Sequence, residues 1–251
     1  MNSISVIIIS KNEAENIVDC IMSAKQVSKD IIVADSGSQD NTQALVIKTG
    51  ARLLQTDWKG YGQTRNEAAA IAVNNWVLAL DADERITPGL AAAITNLSLD
   101  DDCILYGFKR SNFLAAKKLR FGEWGKDKVY RLYNKQKAAW DLLLVHENII
   151  GSGVYKNLIP GELLHYTMKD LAEYQAKTIL YARLSAEKYA AQGKKATQLK
   201  RFISPTFSFV QNYILRLGFL DGKEGCITAY TDSKYIFLKY KLLHELLQQK
   251  K

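Results

Sequence analysis

Short apolar runs rich in β-branched residues recur through the first half of the chain. Each is stopped by polar residues, and most are followed by a stretch with helical spacing. Ser5–Ile9 is the first such run and stops at Ser10-Lys11-Asn12-Glu13. A helix is predicted over 14–24, with Ile17, Ile21 and Ala24 on one face. Asp30–Ala34 is the second run. It ends in the polar turn Asp35-Ser36-Gly37-Ser38-Gln39-Asp40-Asn41-Thr42, and a helix is predicted from Gln43 to Lys48. Ala51–Gln55 reads as a third strand, Gly60–Gln63 as a loop, Arg65–Val73 as an alanine-rich helix and Trp76–Leu80 as a fourth strand. Strands that alternate with helices predict an α/β layer with a mostly parallel sheet.

Such sheets take ligands at the carboxyl ends of their strands, and three strand ends carry polar groups here. Ser10 to Glu13 follows the first, Asp35 to Ser38 the second, and Asp81-Ala82-Asp83-Glu84 the fourth. If the strand continued past Leu80, Asp81 and Asp83 would leave the same face, because side chains alternate with period two. Two carboxylates there suit a hard divalent cation that holds phosphates. Each motif has a structural alternative. Acids favour a helix N-terminus, and Asp35 or Ser38 can cap the helix that follows. The first strand is followed by neither GxGxxG nor a Walker loop, which argues against a dinucleotide site and a P-loop ATPase.

The middle of the chain changes character. Strands are expected at Leu105–Arg110 and Lys128–Tyr133, with a basic patch at Lys117, Lys118 and Arg120. Apolar runs end at His146-Glu147-Asn148 and at His165-Tyr166. A Glu so placed can act as a general base and a His can bind metal or phosphate. A lone His is more often an ordinary hydrogen-bonded residue. The last third predicts a long helix over 170–192. The following stretch, 199–220, mixes Lys200, Arg201 and Arg216 with aromatics and is interrupted by Pro205 and Gly218, and a second basic-aromatic run spans Lys234–Lys239. Basic residues interleaved with aromatics suit an interfacial membrane segment; a packed helix pair with a solvated basic face is the alternative.

Composition adds bounds. The 251 residues are 47% hydrophobic and 24% charged, enough for one large domain or a domain with an appended segment. A net charge of +8 favours acidic partners: phosphates, nucleic acid or an anionic membrane. Cys20, Cys103 and Cys226 form no CxxC pair and read as reduced thiols. No leader peptide and no membrane-spanning stretch is expected, so a cytoplasmic location is, with attachment to a membrane face.

Ser5–Glu13, Ala34–Thr42 and Asp81-Ala82-Asp83-Glu84, in that order, resemble the family 2 glycosyltransferases of GT-A fold. Gly60-Tyr61-Gly62-Gln63 with Arg65-Asn66, Val145-His146-Glu147 and His165-Tyr166 are similar to the branch that contains the lipopolysaccharide-core β-1,4-glucosyltransferases. The likeness runs from about Ser3 to Tyr166; beyond that it is one of character only.

The resemblance implies a GT-A catalytic domain over 1–168, and the basic-aromatic pattern beyond it a helical, membrane-associating segment over 169–251. It implies an inverting transfer of a hexose, glucose foremost, from a UDP-sugar to a heptose of lipid-linked core oligosaccharide, at the inner face of the cytoplasmic membrane. Ser10, Glu13 and Ser38 are expected to line the nucleotide pocket, and Asp35 to take the uracil ring N–H. Asp81 is expected near the ribose or a metal-bound water, and Arg65 at the sugar or diphosphate. Asp83 is expected to hold Mg2+ or Mn2+, with His165 as a further ligand. The family pattern has an Asp as base; here His146-Glu147 stands instead, so Glu147 is the expected base and Asp127 its rival.

Other readings differ in acceptor or class. The same fold can serve a capsule, another polysaccharide or a peptide. A nucleic-acid-binding protein would use the positive charge, but acids cluster where a phosphate backbone would have to approach. A nucleotidyltransferase would carry a Gly-rich basic loop after its first strand, where this chain has only Lys11.

Overall fold

The computed structural model describes residues 3–143, 147–168, 171–195 and 197–249. Its first elements follow the predicted alternation: β1 (Ile4–Ser10), α1 (Ile17–Ala24), β2 (Asp30–Asp35), α2 (Thr42–Thr49), β3 (Arg52–Gln55), α3 (Tyr61–Ala70) and β4 (Trp76–Asp81). The predicted loop at Gly60–Gln63 is instead the start of α3. Strands β3, β2, β1 and β4 lie side by side and parallel. The register pairs Ser10 with Asp35 and Ile9 with Asp81, so the polar ends of three strands share one sheet edge.

Strands β1, β2 and β4 read as nearly continuous apolar runs because both faces are covered. Val6, Ile8, Val33, Leu78 and Leu80 pack with Ile17 and Ile21 of α1 on one side. Ile7, Ile32, Val77 and Ala79 pack with Ala68 and Ala69 of α3 on the other. Ile7 and Ile8 are fully buried on opposite faces, each worth about 2 kcal/mol relative to exposure.

After β4 the chain turns through Ala82-Asp83 into β5 (Glu84–Ile86) and α4 (Pro88–Thr95). Thr87 caps α4 by accepting from the Leu90 N–H at 3.2 Å, with Pro88 in the first turn. The next strands are β6 (Ile104–Leu114), β7 (Lys117–Lys118), β8 (Lys128–Asn134), β9 (Ala139–Trp140), β10 (Ile149–Ile150) and β11 (Tyr155–Met168). Strand β8 lies antiparallel beside β4, and the sheet continues through β6 and β11 to β5, with β7 on the end of β6. Gly161 (φ 107°) lies within β11 where the strand meets α4; a Cβ there would lie 2.6 Å from the Leu90 Cα.

The remaining elements are α5 (Leu171–Ala191), α6 (Gln198–Val210), a π-helical turn (Gln211–Leu215), a 3-10 turn (Gly218–Asp221) and α7 (Lys223–Gln249). The interruption expected between 199 and 220 is present, but Pro205 itself lies inside α6 and the break comes after Val210. Among the described residues no helix is long and apolar enough to cross a membrane.

The chain forms two compact units: Met1–Arg110 with Lys128–His165, and Ser111–Asp127 with Tyr166–Lys251. The second takes in Ser111–Asp127, which the expected boundary at 168 assigned to the catalytic domain. Partly buried hydrogen bonds tie this segment to the helices. Asp221 accepts from the Arg120 and Phe121 N–H groups, each at 2.9 Å, and Asp232 of α7 accepts from Trp124 Nε1 and the Tyr174 hydroxyl.

Candidate active site

The last residue of β4, Asp81, lies between two arginines. Arg65 of α3 donates through Nη2 to Oδ1 at 2.6 Å, and Arg131 of β8 donates through Nη2 to Oδ2 at 2.9 Å. Both arginines are buried. The Trp140 ring lies beneath both guanidiniums, 4.4 Å from Arg65 and 5.4 Å from Arg131. Burial opposes ionisation of Asp81, but Arg131 and then Arg65 outweigh it and hold the carboxyl far below its ordinary range.

The motif around Gly60–Asn66 explains how Arg65 is aimed. Asn66 clamps the backbone of Trp140, donating to its C=O at 2.9 Å and accepting from its N–H at 3.0 Å. Gly62 allows the close approach, since a Cβ would lie 1.9 Å from the Asp141 carbonyl oxygen. Helix and short strand are thereby locked, and Arg65, the residue before Asn66, is directed at the end of β4.

Glu84 underlies this pair. It is fully buried, accepts the Asp81 N–H at 2.9 Å and meets Arg110 at 3.4 Å and Arg131 at 3.8 Å. Burial first and the Asp81 charge second push its carboxyl up, against the pull of Arg131 and Arg110. For Arg131 burial works against the charge, but Asp81 and then Glu84 keep the guanidinium firmly protonated.

Asp81 and Asp83 do not share a face by strand alternation, because the strand ends at Asp81 and Ala82-Asp83 form a turn. The two acids consequently have different surroundings. Asp83 faces His165 of β11, with Oδ2 3.5 Å from Nε2. The β5–β11 register, which pairs His165 with Glu84, brings them together. A carboxylate oxygen and an imidazole nitrogen are a donor set that fits a divalent cation such as Mn2+. The other acid group, Asp101, Asp102 and Cys103, lies elsewhere at the surface.

At the end of β2, Asp35 is buried and its carboxylate accepts four hydrogen bonds. Oδ2 takes the Ser10 hydroxyl at 3.0 Å and the Ser38 hydroxyl at 2.5 Å; Oδ1 takes the Ser38 N–H at 2.9 Å and Gln43 Nε2 at 2.7 Å. A carboxylate offers about four acceptor positions, so a further N–H must displace one of these donors. Glu13 stands at the entry to α1, where its side chain accepts from Asn16 Nδ2 at 2.8 Å and its N–H donates to the Thr42 hydroxyl at 2.9 Å.

Glu147 joins the Asp81 cluster, accepting from Arg65 Nη1 at 2.5 Å. His146 lies outside the described residues. Asp127 belongs to the second compact unit, where it accepts from Asn112 Nδ2 at 3.1 Å. The structure thus joins Asp81, Arg65 and Glu147 in one network, pairs Asp83 with His165, and gathers Ser10, Asp35 and Ser38 in a third. Arg131, Gln43 and Trp140 were not expected in these networks. A lone arginine among the apolar residues of β8 was the available signal, since a buried charge requires a partner.

A family model, Glycosyl transferase family 2, matches residues 5–156. The chain therefore belongs to glycosyl transferase family 2 and is a glycosyltransferase. It is 27% identical over 266 residues to an uncharacterised glycosyltransferase of Rickettsia felis, covering 100% of this chain and 93% of the relative. It is 29% identical over 252 residues to the lipopolysaccharide core biosynthesis glycosyltransferase LpsC of Rhizobium meliloti, covering 94% of this chain and 89% of that protein. Among solved structures, the mannosyltransferase PcManGT of Pyrobaculum calidifontis, in complex with GDP-Man and Mn2+, shares its fold. There the TM-score is 0.57 at 14% identity, covering 99% of this chain and 88% of the other.

Proposed function

We propose that the protein transfers a hexose, glucose foremost, from a UDP-sugar to a heptose of the lipid-linked lipopolysaccharide core, with inversion, at the inner face of the cytoplasmic membrane. The observation that carries this reading is the gathering of Arg65, Asp81, Arg131, Glu147, Asp83 and His165 around the β4 strand end. The similarity to LpsC supports the acceptor.

In this reading Asp83 and His165 hold Mg2+ or Mn2+, which when bound neutralises the departing diphosphate. Arg65 and Arg131 hold Asp81 ionised and fix its rotamer. Among the described residues, Arg65 Nε and Arg131 Nη1 have no hydrogen-bond partner, which leaves donors beside Asp81. Ser10, Glu13, Asp35 and Ser38 form the base-binding end, where a uracil N–H reaches Asp35 by displacing Ser38 or Gln43.

Glu147 takes the proton of the acceptor hydroxyl as its oxygen attacks the anomeric carbon and the bond to the diphosphate oxygen breaks. Its contact with Arg65 orients the carboxylate; Asp127 is the alternative base. A panel of nucleotide sugars with core-oligosaccharide acceptors tests the reading. UDP-glucose should be turned over in a metal-dependent way, and Glu147→Gln should keep donor affinity while slowing transfer about a hundredfold or more. Turnover of another donor only, or normal transfer by the variant, would contradict it.

A further inference from the structure

Helix α6 is amphipathic in the reverse of the usual sense. Pro205 and Ser208 are buried on its inner side, and Ser233 of α7 donates to the Pro205 carbonyl at 2.9 Å. Four of its large apolar residues face outward: Leu199, Phe202, Ile203 and Phe207, spaced as one helical face, are each more than half exposed, with the Phe202 ring tilted against Phe237 of α7. The π-helical turn follows the same rule, with Asn212 buried and Ile214 and Leu215 exposed. A helix that packs by its small and polar side leaves an apolar ridge in water, and a ridge this continuous marks an interaction surface.

Charge selects the occupant. From Lys194 to Leu220 the chain carries Lys194, Lys195, Lys200, Arg201 and Arg216 and neither Asp nor Glu. Lys195, just before the helix, and Lys200, within it, are exposed, and Arg201 lies over the Phe202 ring at 5.4 Å. An apolar ridge flanked by cations matches the two layers of an anionic bilayer surface: acyl chains for the rings, headgroup phosphates for the lysines.

We infer that the outer face of α6 and the π-helical turn is the surface by which the protein lies on an anionic phospholipid membrane, with Phe202 and Phe207 inserted below the headgroups. This deepens the membrane part of the proposed function and rests on it for the choice of lipid. The observations that carry it are all within the helical unit.

The test is flotation of the full chain with vesicles of phosphatidylcholine alone or mixed with phosphatidylglycerol, without donor or acceptor. Failure here is then distinct from failure of transfer. The wild type should float with the mixed vesicles and less so at high salt. Phe202→Ser with Phe207→Ser should weaken partition at least about tenfold. Lys195→Glu with Lys200→Glu should weaken it on the anionic vesicles only. Unchanged melting curves establish that the variants fold, as expected for exposed side chains. Phe207→Trp should show blue-shifted emission, quenched by brominated lipid. Equal flotation of wild type and the double Phe variant would overturn the inference. So would a wild type that never floats but self-associates through this face, losing its dimer in the double Phe variant.

Discussion

Arg131 and Asp81 form a partly buried ion pair at 2.9 Å across the β4–β8 boundary, with Arg131 on the one carboxylate oxygen that Arg65 does not take. The pair ties the end of a parallel strand to an antiparallel neighbour. Together with Arg65 it fixes the direction of the carboxylate at the strand end.

Removing Arg131 leaves the Asp81 carboxylate with Arg65 and the buried Glu84 carboxylate with Arg110 at 3.4 Å. Arg131→Ala is expected to destabilise the protein by about 3 kcal/mol, read from urea unfolding, while Arg131→Lys should cost less because it keeps the charge and loses only the fork. Both should lower turnover. An Arg131→Ala variant of wild-type stability would mean that the pair is inessential to the fold.

Asp35 is satisfied by Ser10, Ser38 and Gln43 without any ligand. Asp35→Asn keeps the shape but places an amide against donors, so a loss of about 1–3 kcal/mol is expected. UDP affinity by calorimetry should fall with it. By contrast Gln43→Ala should leave UDP affinity equal or higher, because it vacates the position that the base N–H needs. A clear fall for Gln43→Ala would place the base elsewhere.

Much of this was legible in the sequence. The polar ends of β1, β2 and β4 could be placed on one edge because each apolar run stops at a defined residue and parallel strands align their ends. A metal role for Asp83 and for His165 was readable from their places at the ends of apolar runs, but their proximity was not, since the antiparallel register of β5 and β11 is set by contacts far apart in sequence. The assumption that Asp81 and Asp83 share a face failed because the strand stops at Asp81: its N–H turns to the buried Glu84 carboxylate, a bond within the turn itself. The helical unit's claim on Ser111–Asp127 was hidden for a similar reason. Asp221 and Asp232 reach it across about a hundred residues of chain, and only burial makes those bonds strong.

Asp232 gives a pH-dependent signature. Burial pushes its carboxyl up to about 6, against the hydrogen bonds from Trp124 and Tyr174. A carboxyl raised in the folded state binds more protons there than when unfolded. Its stabilising effect is therefore complete below about pH 4 and lost as pH rises through about 6. Asp232→Asn should remove this component. Relative to wild type, its stability should improve between pH 4 and pH 7 by on the order of 3 kcal/mol, measured by urea unfolding at both values. A difference independent of pH would show that Asp232 stays ionised.

The most direct test of the account is calorimetry of UDP-glucose binding with Mn2+ and with EDTA, for the wild type, Asp83→Ala and His165→Ala. The account predicts tight binding by the wild type only with Mn2+, and a metal-dependent gain that is abolished in Asp83→Ala and reduced at least about tenfold in His165→Ala. Equal binding by the wild type in EDTA, or a full Mn2+-dependent gain in Asp83→Ala, would contradict it.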